Sequence, residues 1–190
     1  TGDFLSYKRD QKVRKWSREN NIPWKEYLQF GVFRGHFKRD KWAKTYKKHF
    51  EKEIFKISKV FKELPFKYES LPSDNFFDFE IDKCKGSYEG GRKEGLKRLK
   101  YFLANEINSY SKNISSPATS YFSCSRLSPY ITMGCLSIKE IAKETKLLIT
   151  KDSKMFTSRL FWHCHFIQKL ETQPELEFKE YHPYFENIRV

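Results

Sequence analysis

The chain has four cysteines, Cys84, Cys124, Cys135 and Cys164, but no C-x-x-C pair and no regular cysteine framework. This argues against a disulfide scaffold and for a reduced, cytoplasmic protein. Also missing are any run of about 18 apolar residues and any charged n-region followed by an apolar h-region, so neither a membrane span nor a signal peptide is supported. The sequence has no Ser-His-Asp order, no paired-carboxylate motif and no G-x-x-x-x-G-K, so hydrolase and P-loop chemistry have no support. No metal is expected either. His163-Cys164-His165 are consecutive, and neighbours on a helix point about 100° apart. Cys124 and Cys135 lack the short spacing of a zinc knuckle.

Aromatic side chains are abundant: they make up 17% of the 190 residues, 18 of them Phe, within a hydrophobic content of 38%. That is the composition of a globular chain rather than a disordered one. Rings in this number need a core or a flat-ligand pocket to cover them. Positive charge is the second excess, with 37 Lys and Arg against 24 Asp and Glu, a net charge of +13. Residues 1–60 carry 17 basic and 7 acidic side chains, residues 61–87 carry 4 and 6, and residues 88–190 carry 16 and 11. A field of that sign favours polyanions, nucleic acid above all. The plainer alternative is lysine-rich helix faces that keep an aromatic chain in solution.

Hydropathy patterning divides the chain. Val13 and Trp16 punctuate a basic stretch from Tyr7 to about Asn20, as on a helix with a narrow apolar seam. Alternation of ring or aliphatic residues with polar ones from Trp24 to Phe30 predicts a short strand. Asp40 opens a second helix with Trp42, Thr45, Tyr46, His49 and Phe50 on one side and Lys41, Lys44, Lys47 and Lys48 on the other. Residues 61–91, with Pro65, Pro72 and Gly90-Gly91, show no periodicity and are expected to link two domains. Leu96, Leu99, Phe102, Leu103 and Ile107 restore a helical period, decorated by Arg92, Lys93, Lys97, Arg98 and Lys100. These cations, with those of residues 1–60, are the candidate contacts to DNA phosphates. A polar loop is expected from Ser111 to Ser123, and a capping box at Ser137 and Glu140 starts a short helix. Ser153 caps a longer helix that runs to about Leu170.

Two runs carry the chemistry. In C-S-R-L-S-P-Y-I-T-M-G, from Cys124 to Gly134, hydroxyls and a guanidinium precede Pro129, a residue suited to a first helical turn, with Ser128 the expected N-cap. Taken alone, a Ser-Pro helix start is usually only a cap. About thirty residues later, R-L-F-W-H-C-H-F places Arg159, Trp162, His163 and Phe166 at helical spacing beside an apolar face of Phe156, Leu160, Ile167 and Leu170. A Trp flanked by a cation and a His suits stacking on a flat ring.

Together these runs resemble the flavin-binding segments of the DNA photolyase and cryptochrome family, in particular its bacterial cryptochrome-like branch with the form R-L-x-W-H-x-H-F-I-Q-K-L-E. A weaker resemblance covers T-G-D-F-L-S-Y-K-R-D, V-x-x-W, E-Y-L-Q-F-G-V-F-R and R-D-K-W-A-K near the start. The resemblance implies a mainly α fold in three parts: the tail of an α/β antenna domain (1–60), an interdomain linker (61–91) and the first helices of an all-helical FAD domain (92–190). The chain would then be an internal piece of a longer protein, a monomer with FAD as cofactor, a possible second antenna chromophore and UV-damaged DNA as partner. The implied activity is light-driven pyrimidine-dimer repair. No catalytic residue is expected within these 190 residues, so the piece alone would be inactive. Ser125, Arg126, Leu127 through its backbone, and Ser128 would hold the FAD phosphates. Arg159, Trp162 and His163 would face the cavity. The chain departs from the family at Cys124, where Thr is usual, at Arg159, where a lesion-contacting carboxylate is usual, and at His163, where an Arg follows the Trp. The alternatives are a blue-light photoreceptor with the same pocket and a basic DNA-binding fragment without flavin.

Overall fold

The computed structural model describes residues 3–28, 30–34, 38–55, 76, 88–186 and 188, and among these the chain is mainly helical with no strand. Most of the expected linker at 61–91 lies outside the described residues. Helix α1 spans Phe4–Glu19, and Asp3 caps it by accepting the Ser6 amide at 2.7 Å. Helix α2 spans Arg39–Glu51 and buries Trp42, Tyr46 and Phe50. Between them, residues 22–28 are not helical and pair with no strand among the described residues. Among the described residues the strand expected from Trp24 to Phe30 is therefore absent: alternation supplies a two-faced segment, but a strand also needs a neighbour to complete its ladder.

What holds the connector is side-chain chemistry. The amide of buried Gln168 accepts from Phe33 N at 2.6 Å and donates to Phe33 O at 3.0 Å, which is how a neighbouring strand would satisfy the same backbone. Gly31 presses on the ring of Tyr46, where an added Cβ would lie 2.3 Å from Cδ2, and its carbonyl accepts Trp42 Nε1 at 2.8 Å. No side chain larger than hydrogen fits there.

Helix α3, Arg92–Tyr101, continues into a π-helical turn at Phe102–Glu106 and a 3-10 turn at Ile107–Ser109. Two short helices, α4 at Tyr110–Asn113 and α5 at Ser120–Ser123, occupy the stretch expected to be a loop. Helix α6 follows at Ser128–Thr132, α7 at Ile138–Lys146 and α8 at Lys151–Thr172. Ser137 caps α7 as expected, accepting the Glu140 amide. The Glu140 side chain, which the capping box would turn back, pairs with Arg92 instead. The cap of α8 is Thr150, not Ser153. Ser153 sits three residues on and completes a reciprocal box with it. Short 3-10 turns at Pro174–Glu177 and Pro183–Phe185 follow the two prolines.

One apolar cluster joins the α2 residues Trp42, Tyr46 and Phe50 to Leu99, Phe102, Ile107, Leu127, Leu136, Ile138, Ile141, Phe156, Leu160 and Cys164. The buried stripe of α8 is Ser153, Phe156, Leu160, Cys164, Gln168 and Glu171. Ile167 and Leu170, expected in that stripe, are only partly buried, because the stripe turns toward the connector where Gln168 and Glu171 are needed.

Candidate functional site

The run from Cys124 to Ser128 forms a turn between α5 and α6. Arg126 adopts a positive φ of 52° and Leu127 returns to φ −90°, ψ −7°. A left-handed residue followed by a right-handed one turns successive amides toward a common concavity, a nest that favours anions. The backbone N–H groups of Ser125, Arg126, Leu127 and Ser128 donate to no acceptor among the described residues. The Ser125 and Ser128 hydroxyls likewise have no hydrogen-bond partner among them. Leu127 itself is buried in the core and fixes the turn from below. Ser128 is not the N-cap: Leu127 holds that position and no side chain caps α6. With only five residues, α6 adds little dipole, so the open donors of the turn are its main attraction for an anion.

Beneath the turn lies a carboxylate held by two guanidiniums. Glu106, placed at the end of the π-helical turn, pairs through Oε2 with Arg98 Nη2 and through Oε1 with Arg126 Nη2 at 3.1 Å. Arg98 also donates from Nε to Ser125 O at 2.8 Å and from Nη2 to Cys124 O at 3.0 Å, so it ties α3 to the turn. The side chain of Glu106 is 10% exposed, Arg98 15% and Arg126 26%. The Arg126 guanidinium lies 4.6 Å over the Tyr121 ring, and its Nε is buried without a hydrogen-bond partner among the described residues. Burial and the Glu106 charge, opposed by Arg126, keep the Cys124 thiol above its ordinary pKa. It is a neutral thiol and only a weak hydrogen-bond donor.

Arg98, Glu106, Arg126 and Tyr121 line an open groove of about 700 Å³ with Tyr88, Tyr101, Phe122 and Tyr130 among its walls. The structure thus brings Arg126 of the expected phosphate turn together with Lys97 and Arg98 of the expected DNA contacts. Most of those cations are already engaged. Arg92 pairs with Glu140 at 3.0 Å, Lys97 with Glu94 at 3.3 Å, and Arg98 with Glu106; Lys93 alone of the four has no ion pair among the described residues. Arg159, Trp162 and His163 lie elsewhere, on the outer face of α8. Trp162 is 45% exposed and Phe166 53%, their rings 5.5 Å apart. His163 sits edge-on to Phe30 at 5.3 Å.

Glu106, the carboxylate at the centre of this cluster, is not among the candidate residues read from the sequence. The available signal was its position eight residues after Arg98, two helical turns on the same helix face, but the π-helical turn decides where it points. Among the described residues no group of three His, Cys, Asp or Glu could hold a metal ion, and no helix is long and apolar enough to cross a membrane. Compared with protein-family models, with curated proteins and with solved structures, the chain has no match in any of the three.

Proposed function

We propose that the chain is part of a flavin-dependent protein of the photolyase and cryptochrome kind that acts on UV-damaged DNA, with residues 1–60 from the tail of an antenna-type domain. The observation that carries this reading is the turn at 125–128: two open hydroxyls and a row of open amides beside the Arg126 guanidinium. A pyrophosphate needs such convergent donors, and the resemblance of S-R-L-S-P to the family's phosphate turn names the ligand as FAD. Ser125 and Ser128 would donate through their hydroxyls and the turn through its amides. Arg126 would add charge tempered by Glu106. FAD, when bound, supplies the light-driven electron that splits a pyrimidine dimer. The protein's part is binding and orientation.

A second reading has one observation in its favour. The exposed Trp162 and Phe166 line no enclosed ring cavity among the described residues, and beside Arg159 they form a surface suited to stacking on unpaired bases. In that reading the chain is a basic nucleic-acid-binding body that holds no flavin.

Calorimetric titration with FAD, ADP and riboflavin separates the two. FAD and ADP, which share the pyrophosphate, should bind weakly and comparably, because the turn contacts phosphates and not the ring, and riboflavin, which lacks the pyrophosphate, should not. The double variant Ser125→Ala, Ser128→Ala should weaken both by about tenfold or more, from two lost hydrogen bonds. If neither FAD nor ADP binds, or riboflavin binds as well as FAD, the phosphate-anchor reading is wrong. Binding to single-stranded DNA without FAD would favour the second reading.

A further inference from the structure

The cations expected to meet DNA on α3 are mostly consumed by their own carboxylates, and the uncompensated charge lies elsewhere. Lys41, Lys44, Lys47 and Lys48 are exposed along the outer face of α2, and none has an ion pair among the described residues. At the end of that helix, Lys139 of α7 reaches across and donates from Nζ to Glu53 O at 2.9 Å. This brings Lys139 beside Lys52, and Lys143 follows one turn along α7. Burial and the charges of Lys143 and Lys52 push Lys139 below the ordinary lysine range. Burial, Lys139 and Lys52 push His49 down in the same way. Glu51 of α2, Glu53 just past it and Glu144 of α7 form no ion pair with these lysines among the described residues, and Glu140 of α7 pairs with Arg92 instead. Like charges gathered without a counter-anion repel one another, and an external polyanion relieves that repulsion.

We propose that the cationic seam of Lys44 and Lys48 along α2 and Lys52 just past its end, continued by Lys139 and Lys143 of α7, binds the sugar-phosphate backbone of nucleic acid. The inference rests on the nucleic-acid part of the reading above and not on its flavin part. The occupant is a polyphosphate chain rather than a single phosphate because the cations are spread along a helix face of 13 residues and onto a second helix. Lysines present point charges without a fixed fork, so the contact positions the strand and reads no sequence.

The test is fluorescence anisotropy of the whole chain with a labelled, undamaged duplex of mixed sequence, titrated at several salt concentrations. The triple variant Lys52→Gln, Lys139→Gln, Lys143→Gln should lose about tenfold or more in affinity near 0.1 M salt, and its log–log salt slope should flatten by about 2 to 3. Lys44→Gln with Lys48→Gln touches only exposed side chains and should flatten the slope by about 2, so the result does not depend on whether the triple variant folds. Lys93→Gln should change affinity less than twofold. Wild-type binding with a steep salt slope that both lysine variants leave intact overturns this seam while the DNA reading stands. No wild-type binding to DNA overturns both. Binding to phosphatidylserine vesicles but not to DNA assigns the surface to a membrane and overturns the proposal. Flavin titrations of the same variants should match wild type whichever way the DNA result falls.

Discussion

The groove under the turn, about 700 Å³, and a second groove of about 640 Å³ between the connector and α8 are similar in size but carry opposite ion clusters. In the second, one guanidinium serves three carboxylates. Arg34 pairs with Asp10 of α1, with Glu26 at 2.9 Å and with Glu171 of α8 at 4.0 Å, while Arg14 takes the other Glu26 oxygen at 2.7 Å. In the first, one carboxylate, Glu106, serves two guanidiniums. The Arg34 cluster joins three separate stretches of chain, and its charges are used in doing so. The Glu106 cluster joins α3 to the turn and keeps a surplus positive charge beside open hydroxyls and amides. Similar chemistry is structural around Arg34 and available to a ligand around Glu106, because only the Glu106 cluster has unmatched donors beside it.

Removing the central residue of each cluster should break the comparison most visibly. Glu106→Ala leaves two largely buried guanidiniums facing each other and should cost about 3–5 kcal/mol in urea denaturation. Millimolar phosphate should restore part of that loss, since an external anion can take the place of the carboxylate. A cost below about 1 kcal/mol with no phosphate effect would show that the cluster neither supports the turn nor attracts anions.

Arg34→Ala should cost less, about 1–2 kcal/mol, because Arg34 and Glu26 are partly solvated and water replaces part of what is lost. Phosphate should not rescue it, because the groups left behind are carboxylates. Equal rescue of both variants would erase the distinction between the two grooves.

The smallest effect is in acid. Burial raises the pKa of Asp10, but hydrogen bonds and charge from Arg34 and Arg9 outweigh it and leave the carboxyl below its ordinary value. Glu26 is lowered likewise: burial is outweighed by a hydrogen bond involving Trp24, one from Arg14, and the charges of Arg34 and Arg14. A lowered folded pKa contributes stability that is complete above the ordinary carboxylate range near about 4 and disappears as pH falls through the folded value. Wild type should therefore lose stability below about pH 4 more steeply than Arg34→Ala. Parallel acid curves would mean that Arg34 does not hold these two carboxylates.

Much of the helical layout was legible from spacing. The apolar residues of α2, α3 and α7 recur at the period their helices require, and Trp42, Leu99 and Ile141 are buried where that period put them. Caps were harder. Thr150 and Ser153 are both competent cap residues three apart, and which one stops the helix depends on the amide each side chain meets. The segment 24–30 misled for a different reason: alternation is a property of the segment, whereas a strand is a property of a pair.

The sequence by itself determined the helices with their apolar faces, the cationic outer face of α2 and the run of hydroxyls and guanidinium at 125–128, since each depends on neighbours within a few residues along the chain. Only the tertiary structure decided which charges remain available. Arg98 and Arg126 meet Glu106 only through the π-helical turn, Arg34 meets Glu171 only because Gln168 pins Phe33 to α8, and Lys139 meets the end of α2 across 86 residues of sequence. Ion pairing is a contact between atoms brought together by packing, and local spacing carries no record of which partners the packing will supply.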